Sequence, residues 1–237
     1  MKKSFTMFGL ILTLLFLANT LTAFAGDDTR TFNFKDFNAV EIGAGMHLIV
    51  TQSDSFSIEA TGDNDDLKDL QVEKKGNVLK IKYKSHSFFN FSRHHKVEFN
   101  IKMPQLSALD LSGGARGDIK MDNTSKTFSV ELSGGAYLEG ELKCGNIAFD
   151  LSGGSRVNLK GSGGNIKIEG SGGSMFKLKD FSGINANVGL SGGSQATITM
   201  NGELNADLNG GSHVYYYGKV ELGSTDFSGG SGISKGR

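Results

Sequence analysis

The chain has 237 residues, and its 25 Lys and Arg balance 25 Asp and Glu, so the formal charge is zero. That balance speaks against general nucleic-acid binding, which needs a basic surface to displace counterions. The 34 glycines stand against one proline, but they do not recur every third residue, which excludes collagen, and they alternate with core-forming Val, Ile, Leu and Phe, which argues against a flexible linker.

The first segment reads as an export signal. Lys2 and Lys3 give a basic start, Phe8 to Leu17 is almost wholly apolar, and Ala23-Phe24-Ala25 has the small-x-small form that signal peptidase accepts. Cleavage is expected after Ala25, so residues 1–25 are assigned to a signal peptide. The apolar run falls short of the roughly 20 residues a spanning helix needs, and no cysteine follows it to carry a lipid. With one cysteine, Cys144, the exported chain has no internal disulfide and must hold itself by packing and backbone pairing.

Residues 26–107 read as a region of short strands. AVEIGAGMHLIVTQ alternates and turns at Gly43 and Gly45, and FSIEATG alternates with Phe56, Ile58 and Ala60 on one face. Asp63-Asn64-Asp65-Asp66-Leu67 has the composition to cap one short helical turn. LQVEKKGNVLKIKYK reads as a hairpin that turns at Lys75-Gly76-Asn77. KVEFNIKMPQL is a further strand, and Pro104 ends it because it lacks the donor a ladder needs.

From 108 to 237 one motif repeats. Its copies start at Ser112, Ser133, Ser152, Ser171, Ser191, Asn209 and Ser228, and the successive gaps are 21, 19, 19, 20, 18 and 19 residues. A period near 19 marks a solenoid. Strand-like runs flank each copy, and alternation puts Val157 with Leu159, Phe176 with Leu178, Ala196 with Ile198 and Val214 with Tyr216 in inward columns. The glycine pairs are expected to supply the sharp turns: Gly113 and Gly114, Gly134 and Gly135, Gly153 and Gly154, Gly172 and Gly173, Gly192 and Gly193, Gly210 and Gly211. Such turns need φ > 0, and side chains there would crowd the next coil about 4.8 Å away. The serine before the glycines is expected to hydrogen-bond the turn backbone. The fold class is therefore all-β, a parallel β-helix or closely related right-handed β-solenoid. A long antiparallel sheet of successive hairpins fits less well, because it gives no reason for the turns to match in phase.

Several constellations bear on chemistry. The SGGS runs lack the lysine and the helix of a phosphate loop. Asp110, Glu131, Asp150, Glu169, Asp207 and Asp226 each precede the turn by two residues and would stack on the outer face, with Gly189 interrupting the column. The calcium-binding repeat places its acid after the glycines rather than before them, so a solvated face is the better reading. His86, His94 and His95 lie in SHSFFNFSRHH, where the two adjacent histidines would point to opposite faces of a strand. Packing of Phe88, Phe89 and Phe91 against the body or a partner is favoured there over zinc. Cys144 reads as a small core filler. No catalytic residue, metal site or cofactor is assigned.

The candidate interaction face comes from the same period. The exposed position after each turn reads Arg116, Tyr137, Arg156, Met175, Gln195, His213, and Tyr215 and Tyr217 extend it near the end of the stack. Aromatic and Arg side chains carry much interface energy. A glycan or a protein is the expected ligand, and the solenoid end is expected to frame an oligomer with a second copy.

FNAVEIGAGMHLIVTQ, then VEKKGNVLKIKY, then MPQLSALDLSGGA and the SGGS turns, in that order, resemble the head GIN domain family, whose members are grouped as auto-transporter adhesins and are common in Bacteroidetes. The resemblance runs from about Phe32 to about Gly218. It implies a pectin-lyase-like right-handed β-helix without those enzymes' catalytic residues, and an exported protein used in adhesion. The present chain shows no membrane barrel after its repeats, so self-translocation is not expected of it. The resulting expectation is a non-enzymatic, exported β-solenoid acting as an adhesin at the cell surface. A periplasmic envelope scaffold and a polysaccharide-active enzyme are the alternatives.

Overall fold

A computed structural model describes residues 28–84, 97–123 and 127–237. The expected signal segment and the loop with His86, Phe88, Phe89, Phe91, His94 and His95 lie outside the described residues. In chain order come β1 (Asp28–Thr31), β2 (Ala39–Ile42), β3 (His47–Gln52), β4 (Ser57–Gly62), the helical turn α1 (Asn64–Asp69), β5 (Leu70–Lys75), β6 (Val78–Tyr83) and β7 (Glu98–Met103). Then follow β8 (Ala108–Leu111), β9 (Arg116–Asn123), β10 (Phe128–Leu132), β11 (Tyr137–Cys144), β12 (Ile147–Leu151), β13 (Arg156–Ser162) and β14 (Ile166–Gly170). The last strands are β15 (Met175–Gly183), β16 (Ala186–Leu190), β17 (Gln195–Met200), β18 (Gly202–Leu208), β19 (His213–Tyr217), β20 (Val220–Phe227) and β21 (Gly232–Lys235).

The chain is a β-solenoid of about seven turns with a repeat of about 19 residues. Each coil is a pair of strands joined by the glycine turn, and its two strands enter two different sheets. Sheet 1 has eleven strands in the order β1-β4-β7-β3-β9-β11-β13-β15-β17-β19-β21, and sheet 2 has ten in the order β20-β18-β16-β14-β12-β10-β8-β2-β6-β5. From β8 onward every neighbouring pair is parallel, as between β11 and β13 or β12 and β14. Among the described residues antiparallel pairs occur only toward one end, where β4 borders β7, β1 borders β4 and β5 borders β6.

Both sheets run unbroken across residue 107. The strands β2 and β3 flank the turn Gly43-Ala44-Gly45 and stack directly on β8 and β9. The strands β6 and β7 stack on the other side of β2 and β3. The chain therefore lays down one coil, leaves it to form β4, α1 and β5, adds an outer coil, and then crosses back to begin the long stack. That end is covered. Asp63 caps α1 by accepting from the Asp65 amide at 2.9 Å, and Arg30 donates from Nη1 to the Leu67 carbonyl at 2.9 Å.

The opposite end is bare. Leu204 and Leu208 on β18 are 0% and 1% exposed, whereas their register partners on β20, Leu222 and Phe227, are 54% and 45% exposed. The same residue types at the same inward positions lose their cover because no further coil lies beyond β20 among the described residues.

The core is a single apolar cluster between the sheets. Val157, Leu159, Phe176, Leu178, Ala196, Ile198 and Val214 are all buried within it, and Tyr216 packs partly buried against it. The coil that begins at Ser171 is one residue longer than the preceding one. It places the extra residue in β15, where the register to β17 shifts between Leu178 and Ser182, Lys179 and Asp180 both face solvent, and Phe181 returns to the core.

The turns have a consistent geometry through four coils. Both glycines have positive φ at the turns beginning with Ser112, Ser133, Ser152 and Ser171, from +56° at Gly113 to +86° at Gly173. The turn closes from residue four to residue one, as where the Ser155 amide donates to the Ser152 carbonyl at 3.3 Å. In the last three turns the first glycine keeps a positive φ, at Gly192, Gly210 and Gly229, and the second does not. Gly193 and Gly211 therefore depart from the expected left-handed pair. At Gly211 the cause is visible, because its amide donates to the Gly192 carbonyl of the neighbouring turn at 2.7 Å and ties turn to turn.

In several turns the serine that ties the turn is also a different one from that expected, and Ala115 and Ala136 stand at its position in the first two repeats. The hydroxyls of Ser155, Ser174 and Ser212, after the glycines, donate to the carbonyls of Ser152, Ser171 and Asn209 at 2.7, 2.6 and 2.8 Å. Ser155, Ser174 and Ser212 are fully buried, so the bond satisfies a hydroxyl that would otherwise be stranded in the core. The serine before the glycines sits nearer the surface, half-buried at Ser112, Ser133, Ser152 and Ser191 and exposed at Ser171 and Ser228.

Candidate functional site: the outer face of sheet 1

Parallel register turns the residue after each glycine turn into a column across sheet 1. Glu98, His47, Arg116, Tyr137, Arg156, Met175, Gln195 and His213 lie on successive neighbouring strands, each opposite the next. Two residues further along the same strands, a second outward column runs through Asp118, Glu139, Asn158, Lys177, Thr197 and Tyr215. Alternation keeps both columns on the solvent side while Leu138, Val157 and Phe176 fill the core beneath.

The candidate residues fall into two clusters. Arg116, Tyr137 and Arg156 are immediate neighbours on β9, β11 and β13. His213, Tyr215 and Tyr217 are together on β19, separated from Arg156 by Met175 and Gln195, roughly 14 Å away at about 4.8 Å per strand. Between them the face is less charged.

The first cluster lines a groove of about 560 Å³ that also takes in Glu139 and Lys177. The Arg116 guanidinium stands 5.2 Å from the centre of the Tyr137 ring. The Tyr137 hydroxyl donates to Glu139 Oε2 at 2.7 Å. Burial raises the Tyr137 phenol pKa first, and the bond to Glu139 adds to that, so the hydroxyl stays protonated and keeps its role as donor. Arg156 and Lys177 are exposed and make no ion pair among the described residues. At the start of the column His47 lies between two carboxylates, Glu98 at 3.1 Å and Asp118 at 2.5 Å. Further along the strands Lys120 faces Glu141 at 3.9 Å and Lys143 faces Asp122 at 3.3 Å.

The second cluster is more closed. The rings of His213 and Tyr215 are 4.6 Å apart, and His213 Nε2 lies 2.9 Å from Ser234 Oγ. Tyr217 packs over the backbone of Gly236, where a Cβ would come within 2.1 Å of the ring, and Lys179 sits 4.4 Å from the ring centre. Tyr217 thus serves first to hold down the end of the last strand.

Sheet 2 carries the acidic column. Glu41, Asp110, Glu131, Asp150 and Glu169 lie opposite one another in turn, Gly189 breaks the row, and Asp207 and Asp226 follow. Burial raises the Asp110 pKa, and the neighbouring Glu41 and Glu131 charges push it the same way. No group of three or more His, Cys, Asp or Glu arranged for a metal occurs among the described residues. Cys144 is buried, and burial pushes its thiol up to about 12.

An asparagine ladder at the far corner of the coils escaped the sequence reading. Asn146 Oδ1 accepts from the Asn165 amide at 3.0 Å, and Asn185 Nδ2 donates to Asn165 Oδ1 at 3.0 Å. The signal was present, since the three asparagines recur at the period of the glycine turns. The His47 cluster had no such signal, because Asp118 is 71 residues away.

Comparison with known proteins follows the fold. The family described as "Putative auto-transporter adhesin, head GIN domain" matches residues 36–219. A comparison with curated proteins found no match. Among solved structures, a "putative adhesin" from Bacteroides fragilis is 19% identical with a TM-score of 0.77, covering 87% of this chain and 95% of its own. A "putative adhesin" from Parabacteroides merdae is 18% identical with a TM-score of 0.69, covering 90% and 97%. A "putative lipid binding protein" from Parabacteroides distasonis is 17% identical with a TM-score of 0.68, covering 90% and 98%. At these identities the likeness is one of fold.

Proposed function

The chain belongs to the head GIN domain family, and on that footing we propose that it is a non-enzymatic, exported adhesin that binds its ligand on the outer face of sheet 1. The observation that carries the reading is the groove around Arg116, Tyr137 and Arg156, where cations and an aromatic ring are gathered on a rigid, register-locked sheet. A solenoid suits this use, because each coil adds one strand of binding surface at fixed spacing. The names of the related structures, adhesins and a lipid-binding protein, are names of binders rather than of enzymes. The bare end at β20 and β21 belongs to the same proposal as a contact for a second copy, since antiparallel strands already cover the other end; a monomer by light scattering at high concentration removes that part.

The test is a screen of the purified protein against glycans and matrix proteins, run beside a variant with Arg156→Gln, Tyr215→Ser and Tyr217→Ser. Binding by the native protein that the variant loses supports the face as the working surface. Binding that the variant keeps in full moves the site elsewhere. No binding to any member of the panel favours an envelope scaffold without a host ligand.

A further inference from the structure

From the charge left unpaired in the groove we infer that its ligand is an acidic polysaccharide, recognised through its carboxylate groups; this rests on the reading of sheet 1 as the binding face. Three cations line the groove, Arg116, Arg156 and Lys177, against one acid, Glu139. That acid already accepts the Tyr137 hydroxyl. Elsewhere on the face some cations stand beside acids, as Lys120 beside Glu141 and Lys143 beside Asp122. The groove thus gathers three cations against one acid within a few strands.

The geometry favours carboxylates on a repeating chain. A guanidinium held over an aromatic ring keeps its N–H groups free at the edge, where they match a carboxylate with two parallel bonds. Tyr137 holds Arg116 in that way at 5.2 Å. Arg156 stands two strands further on, roughly 10 Å away at about 4.8 Å per strand. Lys177 lies on the strand beyond Arg156, two residues further along it. Arg116 and Arg156 therefore lie on one line perpendicular to the strands, and Lys177 on β15 is offset from that line by two residues, about 7 Å along the strand. An extended polymer with a negative charge on successive sugar units can meet all three at once, and a compact anion can meet only one or two. Each site contributes modestly, and the repeat supplies the rest through effective concentration.

The experiment titrates the full chain with oligogalacturonate and, separately, with its methyl ester, which keeps the sugars and removes the charge. Saturable binding of the acid form is expected, with about tenfold or greater loss on esterification and clear weakening in salt. Arg116→Gln with Arg156→Gln is expected to weaken binding about tenfold or more, while Lys74→Gln, exposed on β5 of sheet 2, leaves it unchanged. Circular dichroism and thermal melting confirm that the variants fold. Equal binding of ester and acid, binding that survives the double variant, or no binding of the acid form overturns the inference. So does binding to anionic phospholipid vesicles in place of the saccharide. A panel ligand bound through Tyr215 and Tyr217 while the double variant is unimpaired would leave the binding face standing and remove only the acidic saccharide.

Discussion

Gly170 and Phe176 share one interior volume: a Cβ on Gly170 would lie 2.7 Å from Cε2 of Phe176 and 2.7 Å from Cδ2 of Leu190. The neighbouring strands carry Leu151 and Leu190 at that inward position. The small residue on sheet 2 therefore makes room for the large ring entering from sheet 1. Gly170→Ala is expected to destabilise the protein by about 1–3 kcal/mol through overpacking. Urea unfolding checks this, and a variant as stable as the parent would show that the ring has slack.

Glycines of the coil separate by what surrounds them. Gly140 has φ +138°, and a Cβ there would stand 2.0 Å from the Ile119 carbonyl oxygen. Gly154 has φ +77° but nothing within 4 Å of its Cβ position. Gly140→Ala should therefore cost about 3 kcal/mol or more, and Gly154→Ala about 1–2 kcal/mol from backbone strain alone. Thermal melts of the two variants, read side by side, test the order.

The bare end gives a third contrast. Leu204→Ala removes a side chain that is 0% exposed and should cost about 2–5 kcal/mol. Leu222→Ala, at the matching position on β20 but 54% exposed, should cost about 1 kcal/mol or less. Equal losses in denaturant unfolding of the monomer would mean that Leu222 is covered.

Asp110 predicts a pH signature. Its carboxyl pKa is raised in the folded state by burial and by Glu41 and Glu131. A raised carboxylate costs stability when it is ionised in both states, and the cost fades as pH falls through the folded pKa. Asp110→Asn should therefore stabilise the protein near neutral pH, with the gain shrinking as pH drops into the carboxylate range. A gain that grows on acidification would contradict the assignment.

Much of the solenoid was legible because one period repeats in the sequence. Ser112 to Ser228 keep phase, so the inward columns and the line Arg116, Tyr137, Arg156 could be read from spacing alone. The first coils were not legible. The turn at Gly43 stacks on the one at Ser112, yet β4, α1, β5, β6 and β7 intervene and erase the period. Glu139 and Lys177 belong to the groove only through parallel register, which places residues of different coils side by side. The role of Ser155, Ser174 and Ser212 was missed because SGGS offers two serines, and burial rather than residue type decides which one bonds the turn.

The central claim is that the outer face of sheet 1 meets the outside of the cell, and the chain's own chemistry allows a direct measurement. Cys144 is buried and its thiol is pushed up to about 12, so the native protein should scarcely react with a maleimide at neutral pH. Lys160→Cys places one reactive thiol on the exposed face of β13. Intact cells making this variant, treated with a membrane-impermeant maleimide, should be labelled without permeabilisation, while cells making the parent remain unlabelled. Labelling that appears only after permeabilisation would contradict the account and leave the protein as a scaffold inside the envelope.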